Sequence, residues 1–131
     1  MFVDASALVA IVSGESDGPV LAQRLEDVGR GHTSPIAIYE ATQALARLGR
    51  VTATAVTTLL DDFMAVSRIE TVPITAEIGR LAVDAFARFG RGNHPARLNM
   101  GDCFAYACAQ CLGVPLLCKG DDFAQTDIEL A

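Results

Sequence analysis

Four places in the chain hold carboxylates that solvation alone does not explain. Asp4 closes the apolar opening Met1-Phe2-Val3 and precedes Ala5-Ser6-Ala7-Leu8. Glu40 lies inside a helical stretch, on a stripe with Ile36, Gln43, Ala44 and Arg47. Asp102 opens the most apolar helical segment of the protein, and Asp121-Asp122 follow its last apolar run. Each has a plain structural reading. Asp4 can cap a helix beginning at Ala5, Glu40 can pair with Arg47 one turn on, Asp102 can complete a capping box with Asn99, and two acids after a strand can form a turn. Taken together they have another. Carboxylates brought to one place repel strongly at low dielectric, so they either stay protonated or share a cation. An all-oxygen donor set without His or Cys suits Mg²⁺, or Mn²⁺ as a substitute, with water completing an octahedral shell. Such an ion polarises a phosphodiester and lowers the pKa of an attacking water.

The surrounding elements decide whether the acids can meet. Short apolar runs at Met1–Asp4, His32–Ser34, Arg68–Ile74 and Val114–Cys118 read as strands. Helical stretches at Ala5–Val12, Asp17–Val28, Pro35–Leu48, Thr52–Ser67, Ala76–Phe89 and Gly101–Leu112 separate them. Pro35 after Ser34 is a first-turn proline, Thr52 and Thr75 are N-caps, and Gly49 and Gly113 are stop signals. In Ala76–Phe89 the residues Ile78, Leu81, Ala82, Ala85, Phe86 and Phe89 recur at helical spacing opposite Glu77, Arg80, Asp84 and Arg88, the pattern of a docked surface helix. Gly101–Leu112 is apolar almost all round and is expected to be central. Continuous apolar strands between helices imply an α/β fold, a parallel sheet covered on both faces. Ligands in such folds sit beyond the carboxyl ends of the strands. Asp4 and Asp121 lie there.

Composition narrows the class. The chain has 131 residues, 51% hydrophobic and 20% charged, which suits a single domain and excludes a disordered segment. No apolar run reaches the ~20 residues of a membrane span, and an acid at position 4 with no basic run before it argues against a leader, so a soluble cytoplasmic protein is expected. A net charge of −6 excludes non-specific coating of nucleic acid. Any nucleic-acid contact must be local or assisted by bound cations. Cys103, Cys108, Cys111 and Cys118 lack ligand-spaced histidines, since only His32 and His94 are present, and read as small thiols in a reducing compartment rather than a zinc site.

Val3-Asp4-Ala5-Ser6-Ala7-Leu8 at the start resembles the opening signature of PIN-domain ribonucleases. A helical Glu40, then Gly101-Asp102-Cys103-Phe104-Ala105-Tyr106-Ala107 and Leu116-Leu117-Cys118-Lys119-Gly120-Asp121-Asp122-Phe123 follow in the family's order of acids, from Met1 to about Ile128. In size and in the last two motifs the chain looks like the VapC toxins of type II toxin–antitoxin pairs. The resemblance implies a three-layer α/β/α sandwich and Mg²⁺-dependent cleavage of RNA. Asp4 and Asp102 become the main metal ligands, Glu40 and Asp121 complete the pocket, and Ser6 hydrogen-bonds a carboxylate or a water. Relatives often carry Thr-x-Asn or Thr-x-Asp near the last strand, where this chain has Cys118-Lys119-Gly120-Asp121-Asp122. The choice between Asp121 and Asp122 therefore stays open, with Asp121 preferred. Arg88, Arg91, His94, Arg97 and Lys119 are the candidate phosphate contacts; a solvated loop is the alternative.

The resemblance also implies a VapB-type antitoxin whose C-terminal segment crosses a groove near the site, and a homodimer. Leu59, Leu60, Phe63 and Met64 offer either an apolar patch for that dimer or ordinary core packing. Two other classes compete. A receiver or phosphatase-like phosphoryl-transfer domain also gathers acids around Mg²⁺, but a phosphatase of that kind needs an Asp where Ser6 stands, and a receiver orders its strands and acids differently. A non-catalytic binding module would keep the acids for stability alone.

Overall fold

A computed structural model describes residues 1–131. Four parallel strands, β1 (Phe2–Val3), β2 (Gly31–Thr33), β3 (Ile69–Thr71) and β4 (Leu116–Leu117), form one sheet in the order β3-β2-β1-β4. Six helices surround it: α1 (Ala5–Ser13), α2 (Gly18–Val28), α3 (Pro35–Gly49), α4 (Ala53–Val66), α5 (Ala76–Phe89) and α6 (Met100–Leu112). β1, β3 and β4 are shorter than the apolar runs that announced them, and β2 is shifted one residue toward the N-terminus of its run. Gly31 is a residue that close packing demands, because a Cβ there would meet Val3, Leu25 and Ile69 at 3.0, 3.1 and 3.4 Å.

Alternation along the strands builds two cores. Val3 and Leu117 point into a cluster with Leu8, Leu21, Leu45 and Leu60, supplied by α1 to α4. Phe2 and Leu116 point the other way, into a cluster with Ile78, Phe89, Cys103 and Tyr106 from α5 and α6. This is the expected three-layer α/β/α arrangement. The outer edge of β4 is partly covered by the C-terminal residues, through a parallel bridge between Leu116 and Leu130, so a row of backbone groups is not left open to another chain.

The helix starts follow their caps. Ser34, Thr52 and Thr75 accept from the amides of Ala37, Ala55 and Ile78. Gly113 stops α6 in the left-handed region at φ 63°, whereas α3 runs through Gly49 and ends on Arg50 at φ 50°. Helix α6 is central as expected, with seven buried residues; Cys103 and Cys108 are buried thiols, while Cys111 is exposed. Helix α5 buries Ile78, Ala82, Ala85 and Phe89, but Phe86, assigned by periodicity to the same apolar face, is 50% exposed. On α4, Leu60 and Met64 belong to the core, and Leu59 faces solvent. No helix is long and apolar enough to cross a membrane.

Candidate active site

Asp4 stands at the carboxyl end of β1 and caps α1, so the capping reading holds and the residue lies where a ligand of such a sheet would sit. It is 5% exposed. Its Oδ2 accepts from the Ser6 amide at 2.9 Å and from Ser6 Oγ at 2.6 Å. Ser6 Oγ in turn accepts from the Lys119 amide at 3.0 Å. One hydroxyl thus ties the exit of β4 to the carboxylate that ends β1. Burial raises the Asp4 pKa above the ordinary carboxylate value, the Ser6 bonds oppose the rise, and the charge of Asp122 adds to it.

Asp102 reaches the same end of the sheet on α6. Its amide donates to Asn99 Oδ1 at 3.0 Å, and its Oδ2 accepts from the Asn99 amide at 2.8 Å, a complete capping box. The cap does not discharge the site. Asp102 is pushed up to about 6, first by burial and then by Asp4 and Asp122, while the Asn99 amide and the more distant Arg91 charge pull the other way.

Glu40 comes from the middle of α3, which packs on α6. It has no ion-pair partner, so the Arg47 pairing does not form. Its carboxylate lies directly over the Cα of Gly101, in the space a side chain at that position would fill. Burial raises its pKa first, followed by the charges of Asp4 and Asp102. The three acids therefore act on one another. Gly101 is the site residue that sequence reasoning passed over. Its signal was present, since glycine in the first turn of an apolar helix weakens the helix and needs another reason to be there.

Of the two acids after β4, Asp122 is the one whose charge reaches the others. Asp122, not Asp121, carries the charge that raises Asp4 and Asp102; Asp121 is not among the groups acting on either. The half-buried Cys118 thiol at the end of β4 is pushed up to about 12 by desolvation and by the charges of Asp4, Asp122 and Asp102.

The basic candidates divide. Lys119 pairs with Glu15 and stands 4.0 Å from Asp17. Arg88 is held by Asp127 at 2.5 Å and Asp84 at 3.6 Å, and contacts Tyr106 Oη at 3.3 Å. Both candidate phosphate contacts are engaged in ion pairs within the chain. Arg91, His94 and Arg97 line one shallow cavity in the loop before α6. His94 accepts from the Ala96 amide through Nδ1 at 3.2 Å, which leaves Nε2 to donate.

No three His, Cys, Asp or Glu side chains close on one point tightly enough to hold a metal ion by themselves. The donor set still fits Mg²⁺, which keeps several waters and is commonly held by one or two carboxylates. Asp4, Glu40 and Asp102 are partly or fully desolvated, mutually repelling and without a cationic partner among the recorded ion pairs. That is an unbalanced arrangement which a hard cation would balance.

A parallel sheet with acids from β1, α3 and α6 at its carboxyl end defines the PIN domain, and a family model of that description matches residues 1–129. Among curated proteins, Ribonuclease VapC42 of Mycobacterium tuberculosis (strain ATCC 25618 / H37Rv) is 44% identical, covering 100% of this chain and 98% of its own. VapC ribonuclease R02377 of Rhizobium meliloti (strain 1021) is 41% identical, covering 97% and 98%. The chain belongs to the PIN-domain family, in its VapC ribonuclease branch. The solved structure of the Mycobacterium tuberculosis toxin VapC20, described as cleaving the sarcin–ricin loop, shares the fold with a TM-score of 0.76 at 19% identity over 99% of this chain and 97% of that one. A toxin–antitoxin complex from Klebsiella pneumoniae gives 0.70 at 19% identity, over 99% and 95%.

Proposed function

We propose that these 131 residues form one PIN-like nuclease domain, a Mg²⁺-dependent endoribonuclease that hydrolyses RNA phosphodiester bonds at the Asp4–Glu40–Asp102 site. The observation that carries this reading is that three acids from three separate elements act on one another and none has an ion-pair partner within the chain. Asp4 and Asp102 would hold the ion, each with one carboxylate oxygen already fixed by a short local bond. Bound there, Mg²⁺ would supply Lewis-acid polarisation and acidify the attacking water. Glu40, whose pKa burial and neighbouring charge raise, accepts the proton of that water. Ser6 positions Asp4, and Asp122 adds negative charge at the exposed lip. Arg91, His94 and Arg97 contact the phosphates on either side.

The activity is that of the toxin of a type II pair, held in check by a VapB-type antitoxin, in the cytoplasm, where four free thiols and RNA coexist. Homodimerisation completes the reading, with Leu59 on the exposed side of α4 available for it. A receiver-like or phosphatase-like activity has no observation in its favour.

The decisive experiment is cleavage of single-stranded RNA by purified protein with Mg²⁺ or Mn²⁺ against EDTA, for wild type, Asp4→Asn and Asp102→Asn. Cation-dependent cleavage lost in both variants is expected. Cleavage that persists in both, or proceeds in EDTA, overturns the assignment.

A further inference from the structure

Between α5 and the start of α6 runs an apolar groove of about 360 Å³, joined to Asp102 through Asn99, which lines it and shares the α6 capping box. That is within the size range of small-ligand pockets. Val83, Phe86 and Met100 line it while remaining 69, 50 and 67% exposed. Periodicity assigned Phe86 to the core side of α5, yet it stands at this groove instead. Three features say what the groove meets. Arg91 lines it and also lines the adjoining polar cavity with His94 and Arg97, so one guanidinium stands where the apolar and basic surfaces join. From Ala85 to Gly101 there is no acid, and with Arg88 held by Asp127 and Asp84 the segment still presents Arg91 and Arg97 beside His94, a local excess of positive charge in a protein of charge −6. Asn99 also lines the groove; its Oδ1 is used by the α6 cap, which leaves Nδ2 to donate.

Cationic donors facing phosphate, a half-exposed aromatic ring and one free amide beside an apolar floor form a set that recognises an unpaired nucleotide. The opposite flank of the site offers no such set, because Lys119 is paired with Glu15. A second copy of the chain is a poorer occupant. Three exposed apolar side chains beside Arg91 are a small patch against the ~800 Å² per partner of a stable interface.

Resting on the nuclease reading above, we propose that the α5–α6 groove receives an unpaired base of the RNA strand next to the scissile phosphate, and that the strand leaves the site across Arg91. Phe86 stacks on the base, Asn99 Nδ2 donates to its edge, and Arg91 holds the adjoining phosphate.

The test compares the equilibrium binding of two fluorescent single strands, decauridylate and an abasic ribose-phosphate decamer of equal charge, with RNA cleavage followed in parallel. Wild type is expected to favour the base-bearing strand roughly tenfold, the scale of one stacked base. Phe86→Ala and Met100→Ala should reduce that preference while leaving abasic affinity and thermal stability unchanged, and Arg91→Ala should weaken both strands. An undiminished preference in Phe86→Ala and Met100→Ala overturns the groove assignment even if cleavage continues. So does a change from dimer to monomer in those variants with the preference intact, which would make the groove a subunit interface. A base preference that depends on Phe86 in a protein unable to cleave RNA would instead sink the nuclease reading and leave the groove.

Discussion

Asp102 shows how a single side chain can satisfy its helix and remain uncomfortable. Its position at the start of α6 gives it the Asn99 amide and the positive end of the helix dipole, yet burial and two like charges outweigh them and lift it from 3.8 to about 6. A folded-state pKa above the unfolded one means that the folded form binds the extra proton between those values. Stability of the metal-free protein should therefore fall as pH rises from about 4 to about 6 and stay reduced above that. Asp102→Asn keeps an oxygen for the Asn99 amide and removes the charge. At pH 7 without metal it should be more stable by about 1 kcal/mol, a value reduced for solvent screening, and should melt a few degrees higher. A melting curve for Asp102→Asn that matches wild type at pH 7 would show the acids to be less coupled than argued. Gly101→Ala tests the neighbouring acid. The added methyl must move the Glu40 carboxylate off Gly101; cleavage and Mn²⁺ affinity should drop at least tenfold while the circular dichroism spectrum is kept.

At the scale of elements, the site is made of ends. A strand end supplies Asp4, a helix start supplies Asp102, and the turn after β4 supplies Asp122; only Glu40 comes from inside a helix. Such ends carry unsatisfied amides that favour anions, so caps and cation ligands call for the same residues. Ser6 joins two of these ends by bonding Asp4 and the Lys119 amide together. Ser6→Ala should cost about 1 kcal/mol for the lost hydroxyl bonds and lower kcat more than RNA affinity, because it leaves Asp4 held by the residue-6 amide alone and unties it from the exit of β4 without touching the basic loop. Equal loss in kcat and affinity would assign Ser6 to RNA contact instead.

For the whole molecule, charge sets how substrate is held. A protein of charge −6 with two free arginines beside its site has few counterion-releasing contacts. In the presence of Mg²⁺, log affinity for single-stranded RNA should fall with log salt at a slope near −1.4, and Arg91→Ala should reduce it by about 0.7. Lys119→Ala should leave that slope unchanged, since its ammonium is spent on Glu15. Mg²⁺ itself should raise the melting temperature through preferential binding to the folded state, more at pH 7 than at pH 5, where the proton competes for Asp102. Calorimetry at both pH values checks the difference.

Much of this was legible along the chain. Strand and helix order, the caps at Ser34, Thr52, Thr75 and Asn99, and the acids as a set follow from local chemistry: periodicity, proline and glycine placement, and short polar side chains at helix starts. These depend on neighbours a few residues away, and a sequence displays its near neighbours. What depends on residues far apart became visible only in the folded chain. Glu40 above Gly101, and Lys119 and Arg88 bound to Glu15 and Asp127, are contacts across tens of residues, and the exposure of Phe86 follows from how α5 packs on α6. Turning a turn by one residue or a helix by a fraction of its circumference changes those partners while the local pattern of residue types stays the same.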